Sequence, residues 1–127
     1  MNELILYRCP ICGNLICMIE DSGIIPECCG EQMLLIQANT EDAAVEKHVP
    51  VMRRDGIHIQ VMVGGLPHPM SPSHRISWIL LLTNHGVYMQ KLKEDDEPKT
   101  VFNIRIDEDV ICVYAYCNLH GLWKLDV

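Results

Sequence analysis

No apolar run in this chain approaches the roughly 20 residues needed to cross a bilayer. Its first residues also lack the basic segment, apolar segment and small-residue cleavage site of a secretory signal. No membrane partner is expected, and the cytoplasm is the expected compartment. Positive charge is scarce as well: ten Lys and Arg stand against 17 acids, a net charge of −7. A phosphate backbone demands a basic surface, so no nucleic-acid partner is expected. A small anionic substrate would need a local cation, because the overall field repels it. Internal repeats, low-complexity tracts and convincing helical periodicity are missing too.

What is present is a globular composition, 49% apolar and 21% charged, over 127 residues. That suits one domain, or a small domain joined to a modest one. The cysteines number seven, an odd count. Cys9-Pro-Ile-Cys12-Gly13 is a knuckle that aims two thiolates at one ion, with glycine free to take the φ > 0 needed where backbone crowds a metal. Cys28-Cys29-Gly30 follows and completes a set of four. Residues 1–36 are too short to own a sufficient core, so a metal must staple them. Two disulfides are disfavoured by the expected reducing compartment. Adjacent cysteines should widen one sulfur–metal–sulfur angle. Cys17, in the apolar strand Leu15–Ile19, reads as a packed thiol rather than a fifth ligand.

Residues 37–45 are polar and short, and read as a linker. From residue 46 onward the signals are strands and turns. Ile57, Ile59, Val61 and Val63 alternate with His58, Gln60 and Met62, the period of a half-buried strand, and end at Gly64-Gly65. Residues 76–82 form a central strand, Asn84-His85-Gly86 a hairpin turn, and 87–93 the return. Phe102, Ile104 and Ile106 share one face. An apolar strand over 110–116 runs into Cys117-Asn-Leu-His120-Gly-Leu-Trp123, and Leu122–Asp126 closes the chain. About seven short strands in 46–127 predict a β-sandwich of immunoglobulin-like architecture.

This second region carries six histidines. Cys117 and His120 stand three apart where strand gives way to turn, and can reach one iron, copper or zinc ion. His48 follows Glu46-Lys47. His68 and His74 lie in a loop stiffened by Pro67, Pro69 and Pro72. His58 falls on a polar strand face and His85 in a turn, and both read as surface residues. Four imidazoles in a plane with a thiolate beneath would leave a sixth position open, and an open position separates a reacting metal from a structural one.

Taken together these motifs resemble desulfoferrodoxin, the two-iron superoxide reductase family. The segment bearing Cys9, Cys12, Cys28 and Cys29 is similar to desulforedoxin. Arg75, where relatives often have an aromatic, is a departure in the outer wall of the site. The resemblance implies an iron centre on Cys9, Cys12, Cys28 and Cys29, with zinc an alternative occupant. It implies a second iron held by His48, His68, His74 and His120, with Cys117 axial. There, ferrous iron would reduce superoxide by one electron to hydrogen peroxide, and a donor such as rubredoxin would restore it. Glu46 would occupy the sixth position in the resting ferric form, and Lys47 would attract superoxide and deliver protons. A homodimer is implied as well. Two rivals remain from the residues alone. A cupredoxin-like electron carrier would leave two loop histidines surplus and lacks a methionine after His120. A zinc-stapled interaction module would leave the second region without metal.

Overall fold

A computed structural model describes residues 3–127, which divide into two compact units, Glu3–Gln37 and Ala38–Val127. In the first, β1 (Leu6–Arg8) is flanked antiparallel by β2 (Leu15–Cys17) and β5 (Leu34–Ile36). A two-residue hairpin, β3 (Glu27–Cys28) with β4 (Glu31–Gln32), lies between β2 and β5 in sequence. Buried apolar side chains here are few: Leu4, Leu6, Cys9 and Met33. At about 1.5–3 kcal/mol for each large side chain, that burial cannot order some 35 residues at more than 1 kcal/mol apiece. Cys17 is exposed on β2, correcting the expectation of a packed thiol. Cys17 is paired with the buried Leu6 and shares its face, but β2 is the sheet's edge strand, where that face is left open to solvent.

The second unit is a sandwich of seven strands. One sheet runs β10-β7-β6 and the other β12-β11-β8-β9, each with antiparallel neighbours. The ranges are β6 Pro50–Asp55, β7 His58–Val63, β8 Ile76–Thr83, β9 Val87–Lys91, β10 Lys99–Asn103, β11 Val110–Cys117 and β12 Gly121–Asp126. The core packs Ile59, Val61 and Val63 of β7 against Ile79 and Leu81 of β8 and Val113, Ala115 and Cys117 of β11, with Phe102 and Ile104 beside them. The thiol of Cys117 is therefore itself a core group.

Three local readings change. Ile57 is exposed in the turn before β7, and Ile106 lies past the end of β10 and is exposed, so neither continues its apolar face. A one-turn helix, α1 (Val45–His48), appears where none was expected; four residues are too short for periodicity to reveal. Asn39, in the stretch read as linker, bonds to β12 through its amide N–H to the Leu122 carbonyl at 2.9 Å and its side chain to Lys124.

Candidate metal centres

The first unit groups the sulfurs of Cys9, Cys12, Cys28 and Cys29 within 4.8 Å of one another. Gly13 at φ +80° closes the knuckle, and amide N–H groups of Ile11 and Cys12 both point at Cys9 Sγ at 3.4 Å. Cys29 and Gly30 are left-handed at φ 54° and 77°, which lets adjacent cysteines turn toward one point. Sγ–Sγ is 3.7 Å for Cys12–Cys28 and 3.9 Å for Cys28–Cys29. A tetrahedron with bonds of about 2.3 Å has edges of about 3.8 Å, so the spacing fits one thiolate-bound ion. Electrostatics agree. The Cys12 amide, ahead of that of Ile11, holds Cys9 down at about 6, whereas sharing hydrogen bonds with Cys12, Cys28 and Cys9 pushes Cys29 up to about 12. Four thiols this close cannot all ionise unless a cation joins them.

In the second unit the sequence-distant histidines meet. β11 and β12 are joined by a three-residue loop, 118–120, with Cys117 paired to Gly121 at φ +77°. Such hairpins require a left-handed residue at this point, and glycine supplies it. The turn sets His120 beside Cys117: the His120 amide donates to Cys117 Sγ at 3.4 Å, and that sulfur lies 3.8 Å from His120 Nδ1. The imidazoles form a closed quartet in the order His48, His68, His74, His120. Neighbouring centroids are 4.6, 4.7, 5.1 and 4.9 Å apart and the rings stand nearly edge to face; the His48–His74 diagonal is 6.4 Å.

Which nitrogens face inward follows from the outer bonds. His48 Nδ1–H donates to the Ala44 carbonyl at 2.7 Å and His68 Nδ1–H to that of Pro69 at 2.7 Å. A carbonyl only accepts, so both Nε2 atoms carry lone pairs. Yet His48 Nε2 lies 3.1 Å from His68 Nε2 and 3.0 Å from His120 Nδ1. His74 Nε2 is buried with no hydrogen-bond partner. Lone pairs converging without a proton between them call for a cation. Nitrogens about 2.1 Å from a common centre are about 3.0 Å apart at the corners of a square but about 3.4 Å apart in a tetrahedron. The observed spacings favour the square. Burial lowers the pKa of His48, His68 and His74, His68 to about 4, which keeps these rings neutral and able to ligate. The donor atoms of His48, His74, His120 and Cys117 all lie within 4.8 Å of one another, and His68 joins through its contact with His48.

Glu46 and Lys47 ride on α1, both exposed. The Lys47 charge reaches His48 and His74, adding to the lowering of both. The Glu46 carboxylate is not among the grouped donor atoms. His58 and His85 are exposed and apart from the quartet; His58 pairs with Asn103 Oδ1 at 2.6 Å. Arg75 folds back on its own loop, Nη1 donating to the Pro72 carbonyl at 2.6 Å.

With this geometry in place, comparison with known proteins is decisive. The family model described as desulfoferrodoxin matches residues 40–126. The chain belongs to the desulfoferrodoxin family. The desulfoferrodoxin of Clostridium acetobutylicum is 41% identical over 126 residues, covering 99% of this chain and 98% of that one. The crystal structure of the superoxide reductase from Treponema pallidum superposes with a TM-score of 0.81 at 35% identity, covering 98% and 99% of the two chains. The superoxide reductase (1Fe-SOR) of Giardia intestinalis matches with a TM-score of 0.54 at 32% identity, covering 65% of this chain and 99% of that one.

Two supports of this desulfoferrodoxin site were not legible as such. Trp123 is buried, its Nε1–H donating to the His120 carbonyl at 3.1 Å while its ring lies 4.8 Å from that of His48. Gly64 was read only as a strand stop. A Cβ there would come within 2.7 Å of the Glu46 carbonyl oxygen and 2.8 Å of that of Val49. The helix that carries His48 thus rests directly on Gly64, and Leu66 N–H donates to the Glu46 carbonyl at 2.9 Å. A double glycine just ahead of a histidine loop was the available signal.

Proposed function

We propose that this desulfoferrodoxin-family chain is a superoxide reductase: superoxide, one electron and two protons become hydrogen peroxide. The reaction is placed at the second unit, with iron held by His48, His68, His74, His120 and Cys117. A second iron, or zinc, is placed on Cys9, Cys12, Cys28 and Cys29. The observation that carries the reading is the square of imidazoles with a buried thiol against it. Iron held by these residues would supply the electron, with an external donor of rubredoxin type restoring it.

Each residue then has a task. Neutral His48, His68, His74 and His120 offer four nitrogens and no proton. Cys117, in an apolar core and receiving the His120 N–H, supplies a thiolate that donates electron density from the side away from solvent. Lys47 supplies the cation that a net charge of −7 otherwise denies the substrate. At about 4 Å and an effective dielectric of about 20, such a charge attracts superoxide by about 4 kcal/mol before desolvation. Lys47 also passes protons inward through water, and Glu46 would be the further residue to bind the metal in the resting oxidised protein. A homodimer is part of the reading, supported by Ile19, Ile24, Leu34 and Leu35 exposed on the first unit. Cytoplasmic placement is supported by seven unbridged cysteines. A cupredoxin-like carrier accounts for less, because both loop histidines join the quartet.

Metal analysis with an optical spectrum of the oxidised protein, followed by rapid mixing with superoxide, is the test. A reductase yields one peroxide per superoxide. One peroxide per two, with oxygen evolved, would mean dismutation and end the proposal. Cys117→Ser is expected to abolish the thiolate-to-iron charge-transfer band; a surviving band means that Cys117 is not the sulfur donor.

A further inference from the structure

His48 and His68 are each anchored by a second ring nitrogen on a backbone carbonyl, Ala44 and Pro69. The His74 ring makes no hydrogen bond within the described residues, so its aim depends on the loop that carries it. That loop is pinned from inside by Ser71: its hydroxyl accepts from His74 N–H at 3.1 Å and donates to the His74 carbonyl at 3.1 Å. It is pinned from outside by Asn118, the residue after Cys117. Asn118 Oδ1 accepts from Arg75 N–H at 2.8 Å, and Asn118 Nδ2 donates to the Ser73 carbonyl at 3.0 Å. These two groups flank His74 on either side. The Asn118 main-chain N–H adds a third bond, to the Arg75 carbonyl at 3.1 Å.

We infer that Asn118 is a positioning residue for the metal site: its carboxamide brackets His74 and holds it in register with Cys117 and His120. A carboxamide is the side chain for this task, because it accepts at one end and donates at the other across the spacing of a peptide unit. Asn118 is exposed and outside the core, so its bonds add more to the placement of one loop than to the folding of the sandwich. Without the carboxamide the Pro-stiffened loop keeps its shape, and only the main-chain bond from Asn118 N–H to the Arg75 carbonyl ties that side of His74 to the turn that supplies the thiolate. His74 is then the imidazole most easily lost from the quartet. The inference rests on the ligand set proposed above.

The test uses the full chain loaded with iron at both centres. Iron release to excess EDTA is followed together with the charge-transfer band of the oxidised protein. Asn118→Ala is expected to release second-centre iron about tenfold faster and to shift the band. The four-cysteine centre should lose iron at its wild-type rate, and the thermal midpoint of the metal-free protein should barely move. Asn118→Asp keeps the acceptor for Arg75 N–H but loses the donor to Ser73, and is expected to fall between. Wild-type release rates and an unshifted band in both variants would overturn the inference. So would faster release matched by an equal loss of metal-free thermal stability, since that is general weakening. If wild-type protein binds no iron at the second centre, the ligand set itself fails instead.

Discussion

Lys47 stands next in sequence to a buried histidine, yet its own side chain is exposed, and its charge acts on both His48 and His74. An exposed cation whose charge reaches two of the grouped imidazoles, in a chain of net charge −7, should aid capture of a small anion. Lys47→Ala is expected to lower the second-order rate of superoxide capture by roughly tenfold and to flatten its dependence on ionic strength. Rapid-mixing rates at low and high salt decide it; unchanged values would remove Lys47 from the mechanism. Trp123 acts on the site differently, through packing and one hydrogen bond. Trp123→Phe keeps a ring beside His48 but removes the donor to the His120 carbonyl, and is expected to cost about 1 kcal/mol of stability in chemical denaturation.

Short elements, more than long ones, place the donors. The helix α1 has a single turn and no side-chain cap at its start, so propensity contributes little to it. It is held by the absence of a side chain at Gly64. Gly64→Ala is expected to destabilise the sandwich by about 1–3 kcal/mol through overpacking against backbone that cannot swing aside. Thermal unfolding and the iron content of the second centre read this out, and a variant with normal stability and full iron would show that α1 can retreat freely. Two buried loop residues also carry an acid sensitivity. The unfolded chain takes up a proton at His68 near 6.5, but burial delays this to about 4 in the fold. Between those values the unfolded state binds more protons, so stability falls as pH falls through that window. Glu108 adds to the loss at lower pH. Buried, and hydrogen-bonded by Thr83, Tyr88 and the Arg105 amide, it has its pKa lowered chiefly by the Thr83 hydroxyl. The thermal midpoint of the metal-free protein should drop steadily on acidification below roughly pH 6.5, and a flat profile would contradict both assignments.

The two units of the molecule bring different means of support. The sandwich has a continuous core, and a 1Fe-SOR that covers 65% of this chain resembles it. The first unit has few buried side chains and a four-thiol group in their place. Removing residues 1–36 is therefore expected to leave superoxide reduction largely intact, measured with a chemical reductant. Activity lost while the sandwich keeps its iron would make the first centre obligatory. Stripping metal from the full chain should unfold the first unit well before the second, visible as two separate transitions in amide exchange.

The amino-acid order was enough to mark the local parts. CxxC-Gly and Cys-Cys-Gly can be read because thiolate spacing and glycine turns are short-range chemistry, and the alternation of Ile59, Val61 and Val63 declares a half-buried strand without reference to any partner. The ending from Cys117 to Trp123 was legible for the same reason, as a strand, a glycine-closed turn and a strand. Tertiary structure alone decided the rest. That Cys17 and Ile57 face solvent depends on which strand lies at an edge and where a turn ends. The meeting of four rings was expected only through the family resemblance; their spacing as a square, the bearing of α1 on Gly64 and the bracketing of His74 by Asn118 are matters of contact between segments tens of residues apart. Such contacts are set by how two sheets pack, and the sequence alone carries little trace of that.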